Sequence, residues 1–298
     1  MRAYLTLLLS LAALWGASYM FIEIALDDLA PTTLMAGRLV IASVMLVSLM
    51  AIRGTLARLR RAGWKVFALG LINSAAPFTL IAWGQQHIDS GVAAIVNASV
   101  PIFVVILAIW LQQSERATGL RIVGIALGLV GVGVLTGAQP ETGGWAVAGT
   151  LAVVLASVFY AVASLLLMRY TERVDTITLS TATMLGATVA LLPFGLAQAP
   201  TEAPGWESVG AVLALGVAGT GVGMLIFMKL LGDYGSFRAG LVTYLLPVTA
   251  LLYGALLLDE VVTGWMLVGL LLILSGVALG SGLLRPVRRA EAVEPARP

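Results

Sequence analysis

The sequence has 298 residues, of which 60% are hydrophobic and only 11% carry a charge. A soluble domain has about 25% charged residues, so this composition, with a mean hydropathy of +1.01, indicates a protein that lies in a lipid bilayer. Cysteine is absent and the formal net charge is only +2, which excludes a disulfide framework, an iron–sulfur cluster and a thiolate zinc site and gives no nucleic-acid-binding surface.

Ten apolar runs, each of about 20 residues, follow one another along the chain with short connectors between them. Each run is long enough to cross a bilayer as a helix, which satisfies its own backbone hydrogen bonds. We therefore predict an all-α polytopic membrane protein with ten transmembrane helices. The predicted spans are 3–26, 31–52, 66–86, 91–112, 119–138, 145–168, 177–198, 208–230, 239–258 and 263–284.

The basic residues predict the direction of the helices. If the N-terminus is cytoplasmic, all 17 Lys and Arg residues fall in cytoplasmic segments, except Arg38, which lies inside the second span. Because cytoplasmic loops are enriched in Lys and Arg, we expect both termini in the cytoplasm, with 285–298 as a polar tail. The alternative for the first run is a cleaved signal peptide ending near AALWGAS, which would leave nine helices and spoil this charge distribution.

The two halves of the sequence are related. A Glu-x-x-Thr-Gly pattern occurs at 115–119 and again at 260–264, and each copy follows a proline-containing apolar run. We predict two five-helix repeats, at 3–138 and 145–284. Because five is an odd number, the second repeat enters the membrane inverted, and inverted repeats support alternating access to a site between them.

The repeated pattern itself predicts a turn. Thr118 or Thr263 would cap the following helix through its hydroxyl, and the adjacent glycine would relieve the corner. A coupling role for Glu115 and Glu260 is the alternative.

Four stretches carry a family resemblance. They are LWGASYMFI, TLMAGRLV, GVAAIVNASVPIFVVILAIWLQQSERATGLRIVGIALGLVGVGVL and AGLVTYLLPVTALLYGALLLDEVVTGWMLVGLLLILSGVAL. From residue 4 to about 284 the chain resembles the drug/metabolite transporter superfamily, specifically bacterial proteins with two EamA-type domains. The resemblance implies a secondary transporter of the bacterial cytoplasmic membrane that exports amino acids or related metabolites. It also implies a cavity lined by helices 1, 3, 4, 6, 8 and 9, with helices 5 and 10 at the periphery.

Helices 1 and 2 offer four candidate residues. Trp15, Tyr19 and Glu23 share one side of helix 1 because they recur every four residues. Trp15 and Tyr19 are candidates for substrate contact, with packing as the alternative for Trp15, and Glu23 is a candidate for coupling or gating, with a solvated rim position as its alternative. Intramembrane arginines face a cavity or a partner, so Arg38 is a candidate for binding a carboxylate. A pair with Glu23 and snorkelling outward are the alternatives for Arg38.

Helix 3 has a stripe that contains Asn73, Pro77 and His87. Asn73 requires a hydrogen-bond partner, which a helix, water or substrate would supply, and we take Asn73 and Pro77 as cavity candidates. His87 is the only histidine, and histidine is the residue type most often used as a proton switch at physiological pH. It is a candidate for proton coupling, with a surface position at the outer mouth as the alternative.

Helices 4 and 9 contain the paired prolines. Asn97 and Pro101 face one way on helix 4, as do Thr243 and Pro247 on helix 9, where Tyr244 adds an aromatic hydroxyl. A proline inside a helix bends it and frees a carbonyl, so we expect both helices to bend and take all five residues as cavity candidates.

Helices 6 and 8 complete the candidate cavity. Ser157, Tyr160 and Ser164 form a polar stripe on helix 6, of which Tyr160 and Ser164 are the cavity candidates. On helix 8, the small residues of GVAGTGVG at 216–223 predict close packing or a hinge, with Thr220 as an optional ligand.

Other classes of function fit the sequence less well. With one histidine, no cysteine, no HExxH motif and no paired-aspartate motif, neither a zinc enzyme nor an aspartate dyad is expected, and no Walker A motif is present. Too few polar residues are available to line a continuous aqueous pore. A multidrug or nucleotide-derived metabolite carrier of the same fold stays an alternative, although phosphates favour more buried cations than Arg38 alone.

The expected partners are the lipid bilayer, a small-molecule substrate and, in one hypothesis, a coupling proton. We expect no cofactor, no metal and no nucleic acid. The glycines of helix 5, Gly124, Gly128 and Gly131, predict helix packing, with a dimer contact as the alternative, so the oligomeric state is left open and a monomer is compatible with the sequence.

Overall fold

The structure is a computed structural model that describes residues 1–112, 119–137 and 143–280. In these ranges, nine helices are long and apolar enough to cross a membrane, and a tenth apolar helix has 17 residues. They are α1 (Arg2–Leu26), α2 (Pro31–Ile52), α3 (Trp64–Gln85), α4 (Ser90–Trp110), α5 (Leu120–Gly137), α6 (Gly144–Tyr170), α7 (Thr176–Ala197), α8 (Trp206–Gly235), α9 (Arg238–Leu257) and α10 (Gly264–Gly280).

Most predicted spans agree with these helices to within about two residues at each end. Helix α8 differs most, because it begins at Trp206 and extends to Gly235, beyond the predicted 208–230. For the tenth span, α10 ends at Gly280, and residues 281–284 lie outside the described part of the chain, as do Glu115, Thr118 and the tail 285–298.

The start of α10 confirms the predicted cap. The Thr263 hydroxyl accepts a hydrogen bond from the Met266 backbone N–H at 3.3 Å, which satisfies one of the free donors of the first turn. The expected role of glycine is wrong for this copy: Asp259 takes the left-handed conformation, with φ of 55°, and Gly264 simply opens the helix. In the first copy Gly119 does turn the corner, with φ of 56°.

The helices pair as two equivalent halves. Helix α2 packs on α7, α5 on α10, and α4 on α9, each against its counterpart in the other half. Other extensive contacts are also matched: α1 packs on α8 and α9 as α6 packs on α3 and α4, and α2 packs on α8 as α7 packs on α3. Exchanging each helix with the one five places along preserves every one of these pairs, as a two-fold relation between halves requires.

Glycines allow α5 and α10 to approach each other closely. A Cβ atom on Gly124 would lie 2.5 Å from the backbone N of Gly280, and one on Gly131 would lie 3.1 Å from the Gly269 carbonyl. The packing interpretation of the helix 5 glycines is therefore confirmed. Large apolar side chains such as Val130 and Leu271 are exposed on the other sides of this pair, which places it at the periphery of the bundle.

Two helices contain a π-helical segment at matching positions of the two halves. These segments are Leu71–Ala75 in α3 and Leu215–Val222 in α8, and each includes or adjoins the matching stretches ALGL and ALGV. In α3 the segment ends two residues before Pro77, whose missing N–H removes a regular helical hydrogen bond. Segments of this kind are frequent at functional sites.

The paired prolines have different effects on their helices. In α4 the helical pattern stops at Asn97 and resumes at Val100, just before Pro101. Helix α9 stays helical from Val242 to Leu257 with Pro247 inside it. The bend predicted for the first proline is therefore realised as a break, whereas the second proline is accommodated within a continuous helix.

Candidate functional site

A cavity of about 390 Å³ lies between the two halves. All six helices that the resemblance implies contribute to its wall, and α2 and α7 each add one residue. Of the candidates, those in the wall are Trp15, Tyr19, Arg38, Asn73, Asn97, Pro101, Tyr160, Ser164, Thr220 and Thr243. We call this space the central cavity.

Three cavity candidates do not line it. Pro77 and Pro247 are buried inside their helices, where they shape the backbone behind the wall. Tyr244 packs against the hydrophobic core instead. Helical spacing predicts which residues share a face of a helix, but it does not predict whether that face meets a cavity or another helix.

Arg38 is the central feature of the cavity. Its side chain is buried, with 8% of the residue exposed, and its Nε donates a hydrogen bond to the Thr220 hydroxyl at 2.8 Å. The guanidinium carbon lies 4.0 Å from the centre of the Phe78 ring, a cation–π contact. Snorkelling to the surface is therefore excluded, because the side chain points into the protein.

The proposed pair between Arg38 and Glu23 is not formed. In the described ranges no carboxylate lies within 4.0 Å of the guanidinium, and no Asp or Glu lines the central cavity. Glu23 instead accepts a hydrogen bond from Gln85 Nε2 at 3.2 Å. Arg38 is thus a buried cation that is stabilised by a hydroxyl and an aromatic ring but by no charge in the described chain.

The π-helical segment of α8 organises one wall of the cavity. The Thr220 hydroxyl donates to the Leu215 carbonyl at 2.9 Å while it accepts from Arg38. The Gly219 carbonyl accepts a hydrogen bond from Trp15 Nε1 at 3.0 Å. The Trp15 ring also packs on Phe227 at 5.4 Å between centroids, so packing and a place in the wall are both realised for this tryptophan.

A chain of polar side chains reaches the wall of the cavity at Tyr19 and Asn97. Ser157 donates to Asn97 Oδ1 at 3.2 Å, and Asn97 Nδ2 donates to the Tyr19 hydroxyl at 2.8 Å. In this bond the Tyr19 hydroxyl oxygen is the acceptor, so its O–H is still able to donate. In the described part of the chain, the Tyr19 O–H donates to no other group.

The remaining polar candidates bond locally. Asn73 Nδ2 donates to the Ser74 hydroxyl at 3.1 Å, so its predicted partner comes from its own helix. Ser164 and Thr243 donate to backbone carbonyls in their own helices. Tyr160 lies beside Phe78, with 6.4 Å between ring centroids.

Glu23 and His87 line a second cavity of about 1140 Å³, which opens among the connectors that carry Asp89 and Glu260. We call this end of the bundle the acidic face. His87 stacks on Trp145 at 5.2 Å and meets the edge of Trp83 at 4.7 Å. Burial, and secondarily the charge of Glu260, raises the pKa of Asp89 above its ordinary value.

Two carboxylates tie the halves together on the acidic face. Glu260 accepts hydrogen bonds from the backbone N–H groups of Ser90 and Gly91, at 2.9 and 3.1 Å, and so caps the start of α4. Asp28 accepts from the Gly205 N–H at 2.8 Å and the Ser208 hydroxyl at 2.7 Å, beside the start of α8. The bond from Ser208, followed by that from Gly205, lowers the pKa of Asp28.

Sequence reasoning missed Phe78 and Gln85. Phe78 covers the guanidinium of Arg38, and Gln85 Nε2 joins the Tyr19 carbonyl, at 2.9 Å, to Glu23. Helical spacing puts Phe78 and Gln85 on one face of α3, but spacing alone does not show that this face meets Arg38 and Glu23. Within the described ranges no group of three His, Asp or Glu side chains could hold a metal ion.

Comparisons with known proteins agree with this architecture. The profile of the EamA-like transporter family matches residues 2–137 and 147–282. An uncharacterized transporter of Archaeoglobus fulgidus is 29% identical over 93% of this chain and 98% of its own length. A probable terminal-alkyne amino-acid exporter of Streptantibioticus cattleyicolor is also 29% identical, over 95% of this chain and 94% of its own.

A solved crystal structure supports the fold independently. It matches with a TM-score of 0.69 and 21% identity, over 95% of this chain and 99% of the other. Two copies of the family profile on one chain are also consistent with the matched helix pairs of the two halves. This protein is a multi-pass membrane transporter, and it belongs to the EamA-like transporter family.

Proposed function

We propose that the protein is a secondary transporter that exports amino acids or related small metabolites across the cytoplasmic membrane, with the substrate bound in the central cavity. The observation that carries this proposal is the buried Arg38 cation in a cavity built from both halves. A buried charge in a membrane protein marks a substrate or ion pathway. The name of the Streptantibioticus relative, a probable amino-acid exporter, supports the same class of substrate.

Alternating access is the mechanism we propose. The matched pairing of the helices means that each half could adopt the arrangement now held by the other, which would open the central cavity on the opposite side. The π-helical segments in α3 and α8 border this cavity and leave the regular hydrogen-bond pattern there. We infer that the backbone rearranges at these two segments.

We further propose that the basic end of the bundle faces the cytoplasm, with both termini on that side, and that the acidic face is external. In this orientation Glu23 and His87 line the external cavity. Gln85 links Glu23 to the Tyr19 carbonyl in the wall of the central cavity. Protonation of Glu23 would therefore change a hydrogen-bond chain that reaches the substrate site. For this reason Glu23 is a better candidate for proton coupling than His87.

Flux into proteoliposomes tests this proposal. The purified full chain is offered labelled amino acids, nucleosides and a cationic drug, with and without a pH gradient. We expect saturable uptake that unlabelled amino acids compete, and a gradient dependence that is lost in Glu23→Gln but kept in His87→Gln. Uptake of the drug alone would favour a multidrug carrier, and no uptake of any solute by correctly inserted protein would contradict the proposal.

A further inference from the structure

The charge of the central cavity is unbalanced. Arg38 supplies one positive charge, and among the described residues no Asp or Glu lines the cavity. Glu23, Asp89 and Glu260 all belong to the acidic face instead. A buried cation without a counter-charge is costly, so a ligand that brings one negative charge would neutralise the site.

The guanidinium is fixed in a geometry that suits a carboxylate. The Nε atom is held by Thr220, one face lies against Phe78, and Nη1 lies 4.0 Å from the sulfur of Met35. Among the described contacts, Nη2 makes no hydrogen bond. An arginine presents its N–H groups in a rigid fork that binds a carboxylate through two parallel hydrogen bonds.

The rest of the wall suits an apolar body. Trp15, Phe78, Tyr160, Met224 and Phe227 line the cavity, and a volume of about 390 Å³ is within the usual range for small-molecule sites. The polar groups at Tyr19 and Asn97 are neutral, and the Tyr19 O–H offers a donor rather than a negative charge.

Among the described residues that line the cavity, an α-ammonium group would find no negatively charged partner. Burying an ammonium group is expensive unless an opposite charge accompanies it. A zwitterionic amino acid would neutralise Arg38 with its carboxylate but leave its own cation facing neutral groups. A monoanion of the same shape avoids this second cost.

From this geometry we infer that the central cavity selects carboxylic acids with an apolar or aromatic body and no free amine, such as 2-hydroxy acids or N-acylated amino acids, over the corresponding zwitterionic amino acids. The inference rests on the proposed function, and it narrows the class of related metabolites to monoanions.

Three probes of one shape test this selection. L-Phenyllactate has a hydroxyl where L-phenylalanine has its ammonium group, and L-phenylalaninol keeps the ammonium but lacks the carboxylate. Binding of each to the full chain is measured by calorimetry in detergent, and uptake is measured in proteoliposomes. We expect phenyllactate to bind at least about tenfold more tightly than phenylalanine, because a buried unpaired charge is costly, and phenylalaninol to bind weakest.

Variants of Arg38 complete the test. Arg38→Met should abolish the preference for phenyllactate, whereas Arg38→Lys, which keeps the charge but loses the fork, should retain part of it and serves if the first variant does not fold. Tighter binding of phenylalanine than phenyllactate would overturn the inference and leave amino-acid export standing. Saturable transport of nucleosides or the drug, with none of the three probes bound, would overturn both the inference and the proposed substrate class.

Discussion

Arg38 on α2 donates a hydrogen bond from Nε to the hydroxyl of Thr220 on α8, at 2.8 Å. This bond joins the two halves of the protein inside the central cavity. The same hydroxyl donates to the Leu215 carbonyl within the π-helical segment. The position of the buried cation is therefore coupled to the irregular backbone of α8.

The first prediction concerns this bond. Thr220→Val should weaken substrate binding by roughly tenfold, because a hydrogen bond to a charged group contributes about 1.5–3 kcal/mol. Arg38→Ala should reduce it further, and the double variant should resemble Arg38→Ala because the two residues act as a unit. Binding and flux are measured for all three.

Thr150→Val is the matched control for Thr220→Val. Thr150 is equally buried, and its hydroxyl bonds to the Ala146 carbonyl of its own helix, away from the cavity. A loss of binding as large in Thr150→Val as in Thr220→Val would contradict a specific role for the Arg38–Thr220 bond.

Pro247→Ala should lower turnover more than it weakens binding. The proline is buried inside α9 and does not line the cavity. We propose that α9 also moves during alternating access, so removal of Pro247 should alter this movement rather than the contacts of the substrate. Pro193→Ala, which alters an exposed proline inside α7, is the control and should leave turnover close to wild type. The maximal flux and the binding constant are measured separately, and an unchanged flux in Pro247→Ala would argue against a moving α9.

Glu260→Gln should lower the free energy of unfolding by about 1–2 kcal/mol, because it removes a charge that caps the start of a helix. The carboxylate accepts from Ser90 N–H through Oε1 and from Gly91 N–H through Oε2, whereas glutamine has an NH2 group in place of one of these oxygens. Thermal unfolding in detergent measures the loss. Asp259→Asn is the control, since Asp259 is exposed and asparagine tolerates its left-handed conformation; equal losses in both variants would refute the cap.

Gly124→Ala should destabilise the α5–α10 pair by about 1–3 kcal/mol through overpacking. The new methyl group would meet the backbone of Gly280 and Gly276, which cannot move aside as a side chain can. At Gly133, on the same helix, an added Cβ meets nothing within 4 Å. Thermal unfolding of Gly124→Ala and Gly133→Ala should therefore differ, and equal midpoints would show that the pair does not pack in this way.

Asp175 predicts a dependence of stability on pH. Burial raises its pKa, but bonds from the Thr178 backbone N–H and hydroxyl, together with the Arg58 charge, outweigh burial and leave the pKa lowered. Because its pKa is lower in the folded protein, Asp175 stabilises the fold at pH values above its unfolded pKa of about 3.9. This stabilisation is lost as the pH falls through the pKa of the folded state.

Asp175→Asn provides the measurement for this pH effect. Asparagine also caps helices but does not titrate or pair with Arg58. The wild type should unfold at a higher temperature than Asp175→Asn at pH 7, and the difference should be smaller at about pH 3, below the unfolded pKa. A difference that is the same at both values would contradict the predicted shift.

The sequence predicted the spans well because hydrophobic length is a local property. Helical spacing also predicted shared faces for Tyr19 and Asn97, and both lie in the wall of the central cavity. Thr263 could be predicted as a cap because its partner, Met266, is three residues away.

Contacts between helices that are distant in the sequence could not be predicted in the same way. Glu260 caps a helix that begins at Ser90, and nothing in the local pattern of either segment indicates the other. The cation–π contact between Arg38 and Phe78 likewise depends on how α2 packs against α3. The spacing also allows a pair between Arg38 and Glu23, but Glu23 instead bonds to Gln85 and lines the second cavity.

Competed flux through wild-type and Arg38→Ala protein, reconstituted side by side, tests the central claim most directly. We predict saturable uptake of a small carboxylate-containing metabolite by the wild type. Arg38→Ala should insert equally well, as judged by its thermal unfolding, and show at least about tenfold lower flux, since the lost interaction involves a charged group. Equal flux through the two proteins would contradict the claim that substrate passes through the central cavity at Arg38.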